Sequence, residues 1–358
     1  MRISSFNIYQ YSLPLARPLV INGKQIEHRE GLIINLNQNG LGEIAPLPGL
    51  SRETLQQALK ELKAIRSFLF SEDIPAGVEK LDGHFQKWFQ TFWLKPSVQF
   101  GIEMAVLNLL ANTKNMAMNK LISQDCHDHV RIHGLIQGSQ EEAQQEALAL
   151  INEGFTALKL KVGPQIHEEI VKVKAVSQVM EGRALLRIDA NQSWTLNQAL
   201  EFGQEVGCAA IDYIEEPFKN LEEIPEFFEK TTIPVALDES LQHQTLRKIK
   251  SISGVETVIF KPTIVGGLEK TRQMIQEAHT YGLDTVVSSS FESSLGISAL
   301  AHLAGTSSRD HTAGLDTLKW FEKDLVKEKI EIEKGKMNLE TMSMRDNNVN
   351  FTLLKEVF

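Results

Sequence analysis

A chain of 358 residues, 42% hydrophobic and 23% charged, has ordinary globular composition and room for one large barrel plus a smaller partner domain. Its net charge of −9 argues against a general nucleic-acid or anionic-membrane surface, while local charge can still hold a small anionic substrate. No apolar run approaches the ~18 residues of a membrane span, and the opening "MRISSFNIYQYSLPL" lacks the apolar centre of a signal peptide, so the chain reads as cytoplasmic.

Residues 1–48 are β-rich. "ISSFNIYQYSL" and "EGLIINLNQNGLGEIAPLPG" are strand candidates, with "QNG" as a hairpin turn. Helices follow: "SRETLQQALKELKAIRSFL", for which Ser51 is the cap candidate, and the apolar "SVQFGIEMAVLNLLANT". An α+β domain over 1–125 accounts for this texture. The lone cysteines, Cys126 and Cys208, lack a CxxC partner and are expected to be buried apolar fillers.

From about residue 130, short apolar strands alternate with amphipathic helices. Strands are predicted at 131–137, 156–162, 184–189, 211–215, 234–238, 256–261 and 283–289, with a weaker eighth at 311–316. Helices such as "SQEEAQQEALALINEG" and "GGLEKTRQMIQEAHTYG", the latter closed by Gly282, lie between them. This repetition implies a parallel sheet closed as a (β/α) barrel. The first strand differs from the rest, which points to an α/β fold of modified (β/α)7β TIM type over 126–320. The remaining segment, 321–358, carries no further repeat and is expected to return toward the first domain.

In "LKLKVG", strand alternation puts Lys159 and Lys161 on one face and Leu158, Leu160 and Val162 on the other. Two ammonium groups inside a barrel require anions. The strand ends supply them: Lys161, Asp189, Glu215, Asp238, Lys261 and Ser288 recur 23 to 28 residues apart, about one β/α unit each. Catalytic groups in such barrels come from these C-terminal ends. Carboxylates from three adjacent strands form a hard oxygen site suited to Mg²⁺, and Mn²⁺ fits the same ligands. In "IEEP" and "LDES" the paired acids point to opposite sides, so only one of each pair enters the barrel. A lysine on either side of a divalent metal suggests removal of the proton α to a substrate carboxylate, with the metal stabilising the enediolate. The lysine acting as base must then fall from about 10.4 toward neutrality.

The run "LKLKVG … LRIDANQSW … YIEEPF … ALDESL … VIFKPTIVGGLEK … SSSFESSLG … GLDT" resembles the enolase superfamily, muconate-cycloisomerase-like subgroup, and within it the o-succinylbenzoate synthases. Matching motifs run from "GEIAPLPGLS" to "GLDT". The resemblance implies that Lys161 is the general base and that Lys159 supports it. It further implies that Asp189, Glu215 and Asp238 bind Mg²⁺, and that Lys261 stabilises the enediolate. The implied reaction is syn dehydration of 2-succinyl-6-hydroxy-2,4-cyclohexadiene-1-carboxylate (SHCHC) to o-succinylbenzoate, in menaquinone biosynthesis. The N-terminal domain would cap the site through "INGKQIEHRE" and "APLPGLS". Ser288 and Gly314 match positions near the substrate, and Arg187 shares the inward face of Asp189, either touching substrate or neutralising the acidic cluster.

The same lysines and metal serve N-acylamino acid racemases and dipeptide epimerases. Epimerases carry Asp-x-Asp at the eighth strand, where this chain reads Gly314-Leu315-Asp316. A His–Asp pair of the mandelate-racemase type is replaced by Lys261. A Schiff-base aldolase with a lysine nucleophile would need no carboxylate triad, and a purely binding barrel would not need both lysines and all three acids. His133 reads as a packed histidine, Gly266-Gly267 as the turn opening a helix, and "EKDLVKEKIEIEKGK" as a solvated charge run.

Overall fold

The computed structural model describes residues 1–208, 211–307, 312–342 and 348–358. An antiparallel sheet opens the chain: β1 (Phe6–Ile21), β2 (Lys24–Leu36) and β3 (Gly40–Ile44). Asn37 and Gln38, at φ 52° and 57°, turn β2 into β3 with the left-handed residues that a tight hairpin demands. Four helices follow: α1 (Leu55–Ser71), α2 (His84–Trp88), α3 (Pro96–Thr113) and α4 (Met118–Ile122).

The cap of α1 is Thr54, not Ser51. Thr54 and Gln57 form a reciprocal capping box, whereas Ser51 Oγ accepts from Leu47 N at 2.8 Å and holds the preceding loop. Helix α3 is buried nearly all round, as its composition requires. It lies directly on β3. A Cβ at Gly42 would stand 2.0 Å from Gly101 O, so glycine on both elements sets their approach.

The second unit begins with β4 (His129–Arg131) and continues as seven parallel strands, each bonded to the next in sequence order. They are β5 (Gly134–Ile136), β6 (Ala157–Lys161), β7 (Leu185–Asp189), β8 (Ile211–Glu215), β9 (Val235–Leu237), β10 (Val255–Phe260) and β11 (Asp284–Val287). The connecting helices are α5 (Gln140–Asn152), α6 (Ile166–Met180), α7 (Leu196–Val206), α8 (Ile224–Thr231), α9 (Leu246–Lys250), α10 (Pro262–Val265), α11 (Leu268–Thr280) and α12 (Ser294–Ala304). The ring closes through two residues: Ala313 bridges Ile132, and Gly314 bridges Ser288. The result is the (β/α)7β arrangement, with an eighth strand reduced to 313–314. Residue 311, where that strand was predicted to start, lies outside the described residues.

The predicted first strand, 131–137, is split. Up to Arg131 the chain pairs antiparallel with β12 (Lys336–Asn338), and Ile132 still donates to Gly335 O; only from Gly134 does it join β6. The change of partner breaks the strand. At the far end, β13 (Lys355–Glu356) pairs with β1. The cysteines are not buried fillers. Cys208 is exposed in the loop that leaves α7 at Gly207, and Cys126 is half-buried. Among the described residues, no helix is long and apolar enough to cross a membrane.

Candidate active site

Alternation along β6 places Leu158 and Leu160 in the core and both lysines toward the barrel axis. The two lysines have different fates. Lys159 is buried, with its Nζ 2.9 Å from Asp189 Oδ2 and 2.7 Å from Glu215 Oε2. Lys161 ends the strand, is exposed to a cavity of about 570 Å³, and has no hydrogen bond or ion pair among the described residues. Lys261, the first residue after β10, contacts the Asp238 carboxylate.

The acids stand in a row. Asp189 ends β7 beside Lys161 in register, Glu215 ends β8 beside Asp189, and Asp238 follows β9. Each paired acid has a separate task. Glu216, at φ 44°, turns away from the cavity and accepts from Asp238 N, Ser240 N, Ser240 Oγ and Gln192 Nε2. It thereby holds the loop that presents Asp238. Glu239 accepts from Asn191 Nδ2 at 3.0 Å.

Burial disfavours the Lys159 ammonium, but Asp189 and Glu215 outweigh it and raise its pKa well above the lysine range. Lys261 is half-buried, and its desolvation is likewise outweighed, by Asp238 and then Glu239, which raise it. Asp189 is lowered despite its burial, by Lys159 and then Lys161. Glu215 is pushed up by burial and by the neighbouring Asp189 charge. Glu239 is pushed up to about 7 by burial and by Asp238.

Among the described residues, no three His, Cys, Asp or Glu side chains are gathered closely enough to hold a metal as they stand, because Asp189 and Asp238 lean onto lysines. The donor set nevertheless suits one. Glu215 Oε1 is buried without a hydrogen-bond donor, a costly state for a carboxylate. Oxygen ligands from three neighbouring strands match a hard divalent cation.

Apart from Asp316, the rest of the cavity wall is neutral or apolar. Ser288, Ser289, Ser290 and Phe291 come from the end of β11, Gly314 from the closing pair, and His133 and Leu135 from the start of the barrel. The first domain adds Pro18 to Asn22 from the β1–β2 hairpin, with Leu47 and Leu50. A Cβ at Gly314 would stand 2.7 Å from Ser288 Oγ, so glycine keeps this wall open. Asp316 lines the cavity but is engaged, accepting from Leu135 N and pairing with Lys319 at 2.8 Å. Arg187 does not line the cavity. It is buried behind the wall, bonded to Asp212, His133 and Thr312 O.

Two features of the site differ from or escape the sequence reading, which took His133 as a packed histidine only. His133, Leu135 and Gln137 all line the cavity, and the period-two spacing that singled out the lysines marks them too. The other is the clamp on the segment after Ser288. Arg29 donates to Phe291 O and Ser290 O, while Glu43 accepts from Ser293 N, Ser293 Oγ and Gly296 N. With some 250 residues between the partners, no local pattern announces it.

Residues 3–109 match the family model described as MenC, N-terminal domain, and 142–343 match the enolase C-terminal domain-like family. The o-succinylbenzoate synthase of Pectobacterium atrosepticum is 34% identical over 332 residues, covering 89% of this chain and 92% of that protein. The o-succinylbenzoate synthase of Haemophilus influenzae is 34% identical over 331 residues, covering 90% and 92%. Among solved structures, the N-succinyl Arg/Lys racemase of Bacillus cereus superposes with a TM-score of 0.85 at 21% identity, covering 100% of both chains. A dipeptide epimerase of Enterococcus faecalis, complexed with Mg and the dipeptide L-Leu-L-Tyr, gives 0.81 at 22% identity, covering 95% and 97%. These structures share the fold; the relatives at 34% share the sequence of both domains. The chain therefore belongs to the o-succinylbenzoate synthase family of the enolase superfamily, and it is a lyase.

Proposed function

We propose that this chain catalyses the Mg²⁺-dependent syn dehydration of SHCHC to o-succinylbenzoate in menaquinone biosynthesis, acting in the cytoplasm on a small carboxylate. The contrast among the lysines supports this reading most strongly: Lys159 and Lys261 rest on carboxylates, while Lys161 faces the cavity unpaired. On this reading residues 1–125 cap the site, 126–320 carry the chemistry and 321–358 return toward the cap.

Asp189, Glu215 and Asp238 are the residues that would hold Mg²⁺, or Mn²⁺ in its place. The bound ion supplies positive charge against the substrate carboxylate as that group gains a second negative charge. Lys161 Nζ takes the α-proton, and Lys261 sets its ammonium against the enediolate from the opposite wall. Lys161 then returns the proton to the departing hydroxyl on the same face, water leaves, and the ring becomes aromatic. Lys159 keeps its charge and holds Asp189 and Glu215 in place. Ser288 and Gly314 bound the space for the succinyl arm, and Arg187 acts from behind the wall.

The test is turnover of SHCHC by the purified protein with Mg²⁺, with EDTA, and as Lys161→Ala. We expect o-succinylbenzoate formation that EDTA abolishes and that the variant loses by at least roughly 10²- to 10⁴-fold. Turnover surviving in EDTA overturns the metal role. Inactivity on SHCHC, with Lys161-dependent α-proton exchange in N-acylamino acids or dipeptides, would reassign the reaction to racemisation or epimerisation at the same site.

A further inference from the structure

Strand order lays the cavity out as a ring. Lys161 and Lys261 stand on opposite sides, four strands apart, and the three carboxylates fill one arc between them. Ser288, Gly314 and His133 fill the other. A substrate whose reacting carboxylate is held on the first arc must turn the rest of its polar groups toward the second.

On that second arc the state of His133 follows from its neighbours. Its Nδ1 lies 2.9 Å from an Arg187 Nη1. A guanidinium only donates and does not lose its proton, so Nδ1 is the acceptor. The single proton of the neutral ring then sits on Nε2. Arg187 is fixed in turn, its Nε donating to Asp212 Oδ2 at 2.9 Å and its Nη1 to Thr312 O at 3.1 Å, so the tautomer is locked. Burial, with the charges of Arg187, Lys159 and Lys319, holds His133 well below the usual histidine range and keeps it neutral. Nε2 has no hydrogen-bond partner among the described residues. The Cε1–Nε2 edge lies 3.1 Å from where a Cβ of residue 314 would stand, so glycine at that position leaves the edge open to the cavity.

We propose that His133 contacts substrate directly: its Nε2–H donates to a carboxylate oxygen on the arm that points away from the reacting carbon, and so selects a dicarboxylate. The inference deepens the dehydration reading and rests on it, the arm being the succinyl chain of SHCHC and of its product. The nearby cations are already paired, Arg187 with Asp212, Lys159 with Asp189 and Glu215, and Lys319 with Glu146 and Asp316, so the recognition rests on the Nε2–H donor itself.

Calorimetric binding of o-succinylbenzoate in Mg²⁺ tests it, against the analogue in which the succinyl carboxylate is a methyl ester. In His133→Asn the amide oxygen can still accept from Arg187, but nothing occupies the place of Nε2. In His133→Gln the amide nitrogen reaches that place and restores the donor. We expect His133→Asn to bind the product roughly 10- to 100-fold more weakly and to lose the preference for acid over ester. His133→Gln should keep most of both, with the two variants melting alike. A preference retained in His133→Asn, or both ligands weakened equally, overturns the proposal and leaves His133 as packing for Arg187. A wild-type protein that binds no o-succinylbenzoate defeats the dehydration reading instead. The same comparison then runs with an N-succinyl amino acid and its succinyl ester, and is judged by the same two outcomes.

Discussion

Glu216 shows how one side chain sets another's position without entering the cavity. Its two oxygens take four donors, two of them backbone N–H groups in the loop that begins at Asp238. Carboxylates that orient ligating groups from behind are typically worth about 10- to 100-fold in metal affinity. We expect Glu216→Ala to weaken Mg²⁺ by that amount, read as the Mg²⁺ concentration needed to raise the melting temperature. An unchanged titration would make Glu216 a folding residue alone. The acid pairs were legible as pairs, but alternation holds only for the first. Glu216 turns away, whereas Asp238 and Glu239 both line the cavity because they follow β9 in a helical turn and do not lie on the strand. Which lysine of "LKLK" would be buried was not legible. Lys159 and Lys161 have the same face and chemistry, and only the depth of β6 in the barrel separates them.

At the scale of elements, what pattern could reveal depended on how local the cause was. The apolar helix at 96–113 and the alternation of strands and helices follow from periodicities within one segment. The cap of α1 does not: Ser51 and Thr54 are both good caps, and Ser51 is drawn away by Leu47 N. The eighth strand was legible only weakly, as 311–316, and its described part is shorter: Ala313 bridges Ile132 and Gly314 bridges Ser288. The contact of β3 with α3 is similarly non-local. A methyl group at Gly42 would meet Gly101 O at 2.0 Å, and the backbones cannot part without opening the sheet. Gly42→Ala should lower stability by about 1–3 kcal/mol, measured by denaturant unfolding. A loss below a few tenths would mean the helix moves freely on the sheet.

Across the whole molecule, charged groups tie the two units together at points far from the cavity. Buried Glu103 of α3 accepts from Glu269 N at the start of α11, and Glu269 accepts from Phe85 N and Gln86 N of α2. Burial pushes Glu103 up to about 8 from its ordinary 4.5. The folded protein therefore holds this proton more tightly than the unfolded chain. Stability from Glu103 is complete below about pH 4.5 and declines as pH rises toward 8, by up to a few kcal/mol. Glu103→Gln cannot ionise, so the stability difference between wild type and variant should shift in the variant's favour between pH 5 and pH 8 by roughly that amount. Denaturant melts at both pH values measure it, and a pH-independent difference would place the proton elsewhere.

The segment from Ser288 to Gly296 belongs at once to the cavity wall and to the joint between the units, since Arg29 and Glu43 grip it within a few residues of the groups that line the site. Evolution is thus given little freedom there. A substitution that retunes recognition through this segment also loosens the seam of the fold, and survives only with a compensating change some 250 positions away. In the β1–β2 hairpin only the exposed tip at Val20 carries no such obligation, since Leu19 and Leu47 pack with Trp320 in the same joint. A lineage drifting from one acid to another should accumulate its changes at that tip first, with the serine-rich wall altering last.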